Sequence, residues 1–239
     1  MLPSYEDSKL YAKRVVKTAL GRDHLTRLDV AIAKERYGTN YGGWVIAPHI
    51  LERQASVNVL SLGIGDDISF DLETIRKFQA TVFAFDPTPN SLSWLKTQTL
   101  PPEMRAYPIG VADYDGEQDF AFPDNPNWDD FSIRRESGRT VRCQVARIST
   151  IVAMCGIETA DIVKLDIEGS EYRVIDDFCA TTVRPGQFLV EFHHSMHGIK
   201  IAETLNAVKQ LRSAGYLLFN LSPWGREFSF VHEAALRRA

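Results

Sequence analysis

The chain has 239 residues, 44% hydrophobic and 24% charged, with a formal net charge of -4. That balance belongs to an ordinary soluble domain able to bury a core without staples, and it excludes the broad basic footprint of a general nucleic-acid binder. No apolar run reaches the ~20 residues that span a bilayer, and the opening residues lack the basic and apolar regions of a secretion signal. Cys143, Cys155 and Cys179 are odd in number and widely spaced, so reduced thiols and a cytoplasmic setting are expected, with neither membrane nor nucleic acid as partner. The arginines at 134, 135, 139, 142 and 147 read as a solvated loop and strand face.

Residues 1–50 are expected to form an N-terminal helical extension, ahead of a single α/β domain over 51–239. Leu10, Val15, Val16 and Leu20 recur at rough helical spacing up to Gly21, and a second amphipathic stretch, Leu25 to Tyr37, ends at Gly38. Tyr41-Gly42-Gly43-Trp44 is either a loop that closes over a ligand or a turn whose aromatics pack on the core. Val57 to Leu62 reads as a buried strand, followed by Gly63-Ile64-Gly65 and a helix from about Ile68 with Leu72, Ile75 and Phe78 on one face. Strand, G-x-G, helix is the arrangement of a nucleotide site, but the third glycine that seats a pyrophosphate is missing. Thr81 to Phe85 is a second strand ending in Asp86-Pro87. Asp86 follows the glycines by about 20 residues, the offset of a carboxylate that accepts from both ribose hydroxyls.

A helix is predicted over Asn90 to Thr97. Arg105 to Val111 is a third strand, placed at a sheet edge by Pro108, which removes a ladder donor. Two alternating segments follow, separated by a polar loop at 123–139 carrying Trp128 and Phe131; it reads as an acceptor contact or as plain surface. After a short helix over Ile148 to Met154, Ile162 to Ile167 forms a buried strand that delivers Asp166 and Glu168 to its end. Gly169 then opens a helix with Tyr172, Ile175 and Phe178 on one face. A further strand, Gln187 to His193, sends Glu191 and His193 to the same side. A helix from Ile201 to Leu211 precedes a hairpin, Tyr216 to Leu221 and Glu227 to Val231, around Ser222-Pro223-Trp224-Gly225.

Five βα-type units and a terminal hairpin resemble the class I S-adenosylmethionine-dependent methyltransferase fold, a Rossmann-like seven-stranded sheet of order 3-2-1-4-5-7-6 whose last strand is antiparallel. Within it, Phe83-Ala84-Phe85-Asp86-Pro87, Gly110-Val111-Ala112-Asp113 with Gly116, Val163-Lys164-Leu165-Asp166-Ile167-Glu168-Gly169-Ser170-Glu171 and Leu189-Val190-Glu191-Phe192-His193 resemble the FkbM family of methyltransferases. The resemblance implies S-adenosylmethionine as cofactor. It implies Gly63 and Gly65 at the methionine end, Asp86 on the ribose, Val111, Ala112 and Asp113 against the adenine, and Asp166 facing sulfonium and acceptor. Ser61 stands where such enzymes commonly carry an acid, which leaves the ammonium to backbone carbonyls, Asp66 or Asp67.

The expected reaction is O-methylation of a hydroxyl on a small molecule such as a sugar or secondary metabolite. Asp166, Glu168, Glu191 and His193 are the candidate bases; His193 titrates nearest neutrality, with Glu191 orienting it or binding the acceptor. Asp166, Glu191, His193 and His197 could instead hold a divalent metal that acidifies an acceptor diol. For His194 and His197 packing or capping is the plainer role. Two other functions compete: an NAD-dependent oxidoreductase, opposed by the missing glycine and the terminal hairpin, and a non-catalytic cofactor-binding scaffold.

Overall fold

The computed structural model describes residues 5–238 apart from 22, 53, 123–137, 195 and 197. The readings made for His197, for Trp128 and Phe131, and for most of the 123–139 loop lie outside the described residues. The elements run α1 (Tyr5–Ala19), β1 (Glu35–Tyr37), β2 (Trp44–Ile46), a single 3-10 turn (Pro48–Ile50), β3 (Asn58–Leu62), α2 (Ser69–Phe78), β4 (Thr81–Phe85), α3 (Pro89–Leu95), β5 (Met104–Tyr107) and β6 (Gly110–Val111). They continue with β7 (Gly116–Ala121), β8 (Thr140–Ala146), α4 (Ile148–Cys155), β9 (Ile162–Leu165), α5 (Glu171–Ala180), β10 (Gln187–Glu191), α6 (Ile201–Ser213), β11 (Tyr216–Leu221), β12 (Glu227–His232) and α7 (Glu233–Arg238). No described helix is long and apolar enough to cross a membrane.

Seven strands form the central sheet in the order β5-β4-β3-β9-β10-β12-β11. β12 runs antiparallel to both its neighbours while the other six strands share one direction, so the order and direction expected from the sequence are those of the protein. Apolar side chains leave both faces of the middle strands, as a fully covered parallel sheet requires. Leu60 and Leu62 join Ile151, Ile175, Phe178 and Val208 in one core. Val59, one step out of phase, joins Tyr37, Trp44, Ile46 and Phe70 in the other. Each fully buried side chain of this size contributes about 1.5–3 kcal/mol. The register aligns Leu62 with Phe85 and Leu165, and Leu165 with Val190. The residues that follow these strands therefore emerge along one edge.

Two expectations fail locally. Leu25 to Tyr37 is not helical: Val30 and Ile32 are half-buried while Ala31 and Ala33 are exposed, a period of two. The backbone N–H of Asp29 donates to the Leu218 carbonyl at 2.8 Å, and β1 pairs antiparallel with β2. Among the described residues, the extension thus holds one α-helix, α1, and a hairpin that covers one face of the sheet. The third strand also stops short. β5 ends before Pro108, and Gly110 and Val111 leave the central sheet to pair with β8 in a separate three-stranded sheet, β6-β8-β7.

Candidate functional site

The aligned strand ends border a cavity of about 500 Å³. On one side lies the turn after β3. Gly63 has φ 85°, and a Cβ there would fall 1.7 Å from the Asp166 carbonyl oxygen, so only glycine lets the ends of β3 and β9 approach this closely. Gly65, at φ 59°, also lines the cavity, and a Cβ on it would meet nothing within 4 Å. Asp86 holds the turn from β4. Its Oδ2 accepts from the N–H groups of Ile64 at 2.9 Å and Gly65 at 3.2 Å, and its Oδ1 from the N–H of Thr88 at 2.8 Å and the Thr88 hydroxyl at 2.6 Å. The Thr88 hydroxyl also lies 2.9 Å from Ser91 Oγ. One hydroxyl proton serves one acceptor at a time, so this contact of Asp86 is the exchangeable one.

Val111 lines the cavity, whereas Ala112 and Asp113 line a small adjoining recess beside Tyr114 and Arg173. Asp66 lines the cavity. Asp67 lines it too but is engaged, accepting from the Ser69 N–H at 2.7 Å and the Thr39 hydroxyl at 2.7 Å. The Tyr41–Trp44 segment divides between its two readings: Tyr41 stands 81% exposed at the cavity, and Trp44 is buried beneath it.

The other side is built around His193, which is 3% exposed. Glu171, the first residue of α5, is fully buried. Its Oε1 accepts from the N–H groups of Ile167 at 3.2 Å and Gly169 at 3.1 Å and lies 2.9 Å from His193 Nδ1. This fixes the ring with Nε2 turned to Glu168 Oε2 at 3.4 Å, Asp166 Oδ1 at 3.8 Å and Glu191 Oε1 at 4.0 Å. Glu168 occupies the left-handed region at φ 54°, a conformation that costs a non-glycine residue about 1–3 kcal/mol.

Burial disfavours an imidazolium at His193. The charge and hydrogen bond of Glu171, with the charges of Glu168 and Asp166, outweigh it and hold the pKa well above 6.5. Burial, then the Asp166 charge, push Glu191 up to about 8. Burial also raises Glu227, which reaches the cavity from β12 and is opposed by Arg36 at 3.2 Å.

Asp166, Glu191 and His193 each present a ligand atom within 4.8 Å of the others. Asp23, His24 and His194 form a second such group beyond the cavity. There the Arg14 guanidinium lies 3.7 Å from Asp23, and both His24 ring nitrogens are engaged, Nε2 with the Gly225 carbonyl and Nδ1 with the Thr26 hydroxyl. An arginine already supplies the positive charge of that cluster, which clamps α1 to the β11–β12 turn.

The structure thus gathers Gly63, Gly65, Asp86, Val111, Asp166, Glu168, Glu191 and His193 at one cavity and leaves Ala112 and Asp113 beside it. Lys164 and Glu171 were quoted within the motif but given no role, and Arg226 in the β11–β12 turn and Glu227 at the start of β12 were not singled out by sequence. A lysine flanked by Val163 and Leu165 was a readable signal, since charged residues are rarely buried unpaired.

Residues 28–218 match the family model of the methyltransferase FkbM domain. The matched region begins ahead of β1 and so includes the β1–β2 hairpin. No curated protein matches the chain. Solved structures of similar shape include the fibrillarin pre-rRNA processing protein of Methanococcus jannaschii, 8% identical, covering 84% of this chain and 83% of that one at a TM-score of 0.44. Precorrin-6y C5,15-methyltransferase of Geobacter metallireducens is 12% identical, covering 71% and 68% at 0.40. A TehB-like SAM-dependent methyltransferase of Corynebacterium glutamicum is 12% identical, covering 96% and 100% at 0.39. The match across 28–218 spans most of the 239 residues and sets the oxidoreductase alternative aside. The chain belongs to the FkbM family of S-adenosylmethionine-dependent methyltransferases.

Proposed function

We propose that this methyltransferase methylates a hydroxyl of a small polar molecule, with His193 as the base. The observation that carries the reading is the Glu171–His193 pair: a carboxylate fixes Nδ1 while Nε2 faces the cavity. S-adenosylmethionine, when bound, supplies a methyl group on a positive sulfonium. The room left at Gly65 and the acids around the cavity suit such a cation. Gly63 and Gly65 hold the methionine end. Asp86 takes a ribose hydroxyl when Thr88 turns its proton to Ser91. Val111 lies against the adenine, with Ala112 and Asp113 reached from the adjoining recess.

On the acceptor side, His193 Nε2 takes the hydroxyl proton as the oxygen attacks, and Asp166 and Glu168 stabilise the imidazolium that results. Glu191 keeps its proton into the neutral range and donates a hydrogen bond to a second acceptor oxygen. Such a pairing suits a polyhydroxylated acceptor, a sugar or secondary metabolite.

One observation favours a second reading. Three ligand atoms converge within 4.8 Å, and the remaining nitrogen of His193 is bonded to a carboxylate, as in most metal-bound imidazoles. A divalent cation there would replace the protons of His193 and Glu191 and acidify the hydroxyl itself.

The test is transfer of labelled methyl to a panel of polyhydroxylated molecules, with wild type and His193→Gln, with and without chelator. The expected result is label on oxygen, a loss of kcat on the order of 10²–10⁴ in the variant, and no effect of chelator. Label only on nitrogen or carbon sinks the hydroxyl reading. Activity lost to chelator and restored by Mg²⁺ supports the cation reading, and no transfer to any acceptor by donor-loaded protein favours the scaffold.

A further inference from the structure

We infer that Lys164 is the anchor for the amino-acid end of the methyl donor, its ammonium receiving the α-carboxylate of the methionine moiety. This rests on S-adenosylmethionine being the donor. Lys164 sits inside β9 between Val163 and Leu165, both fully buried, and is itself 4% exposed. An ammonium in such a place is costly unless an anion faces it. Its Nζ donates to the Gly63 carbonyl, the first carbonyl of the glycine turn. No carboxylate oxygen of a described residue lies within 4.0 Å of it.

Asp71, buried on α2, feels the lysine charge but forms no ion pair with it. The Trp44 ring lies 6.0 Å from Nζ, at the outer limit of a cation–π contact. Two of the three N–H groups of the ammonium are therefore without a partner as strong as a carboxylate.

The position of the group decides what that partner is. Lys164 lines the cavity at the glycine turn. Arg226, the other Lys or Arg residue lining it, belongs to the β11–β12 turn and lies beside Met196 at 3.5 Å, on the His193 side. The remaining charged lining residues, His193 apart, are acids, which suit the ammonium and the sulfonium and repel a carboxylate. The amino-acid end of the donor carries its ammonium and its carboxylate on one carbon, and Lys164 is the lining cation that stands at the glycine turn to receive the carboxylate. The competing role is purely internal, with Lys164 neutralising Asp71 at a distance.

Two ligands separate these roles: S-adenosylhomocysteine, and 5′-methylthioadenosine, which keeps the adenosine and thioether but lacks the amino-acid end. Both are titrated calorimetrically into wild type, Lys164→Met and Lys164→Met/Asp71→Asn, the last removing the buried carboxyl that the single variant leaves uncompensated. Wild type is expected to bind S-adenosylhomocysteine more tightly than methylthioadenosine. Both variants are expected to lose on the order of 10- to 100-fold in affinity for S-adenosylhomocysteine and to keep their affinity for methylthioadenosine within about 2-fold. Equal weakening of both ligands in the folded double variant, or no weakening of either, overturns the inference. Wild type that binds neither ligand overturns it by a different route, because the donor reading itself then fails.

Discussion

In the proposed reaction Glu171 is the residue that would direct His193, its carboxylate lying 2.9 Å from Nδ1. Truncating its charge without its shape, as Glu171→Gln, leaves an amide oxygen for the Ile167 and Gly169 N–H groups but removes the anion behind the imidazole. His193 must be neutral to accept a proton, so the rate should climb with pH through a pKa held above 6.5. The variant weakens that support, so the midpoint of the kcat profile should move to lower pH and kcat should fall about 10²-fold, with S-adenosylhomocysteine affinity unchanged. An unmoved profile contradicts the pairing. Glu171 was visible in the sequence as the last acid of the D-x-E-G-x-E run. Its role was not, because spacing along a strand and helix does not say that the first helical residue reaches the end of a neighbouring strand. The place of Asp86 at the cavity was legible for the opposite reason: its position at the end of β4, about 20 residues past the glycines, is a property of local order. Its hold on the glycine turn, through Ile64 and Gly65, needed coordinates.

The β3 turn and the N-terminal clamp each carry a test. A methyl at Gly63 would collide with the Asp166 backbone 1.7 Å away, so β3 and β9 would have to part. Gly63→Ala should lower stability by ~3 kcal/mol, from overpacking and a left-handed φ together. Gly65→Ala meets no atom and should cost only about 1–2 kcal/mol while weakening S-adenosylhomocysteine binding. Similar Tm losses for the two variants would contradict this account of the turn. In the clamp, burial and the neighbouring His24 push His194 down to about 4 from 6.5. The folded state therefore keeps it neutral while the unfolded chain takes up a proton near pH 6.5. Its contribution to stability is complete above that pH and is lost as pH falls towards 4. The Tm of wild type should accordingly drop relative to His194→Phe across that window, and a constant difference between the two would count against a neutral buried imidazole.

The same clamp marks where the sequence misled. Leu25, Leu28 and Ile32 fit helical spacing, while Val30 and Ile32 fit a strand. The choice was made by a backbone partner, the Leu218 carbonyl, nearly two hundred residues away. Pro108 gave half of its meaning: it does end β5, but the departure of Gly110 and Val111 to β8 depends on a second sheet that pairs residues far apart in the chain.

Across the whole molecule, the parallel sheet order was readable because each strand, turn and helix is a local pattern. Right-handed crossovers then leave few ways to arrange them. What placed the acids around the cavity is the shared register of β3, β4, β9 and β10, and that register is set by packing on both faces of the sheet. The result is a basin whose charges suit a cationic donor, with one lysine at the glycine turn and one histidine opposite. Calorimetric titration with S-adenosylhomocysteine tests that account most directly, run beside Asp86→Ala. Binding in the micromolar range, about -8 kcal/mol, strongly weakened by the substitution, is the predicted result. Folded wild-type protein that takes up no S-adenosylhomocysteine would contradict it.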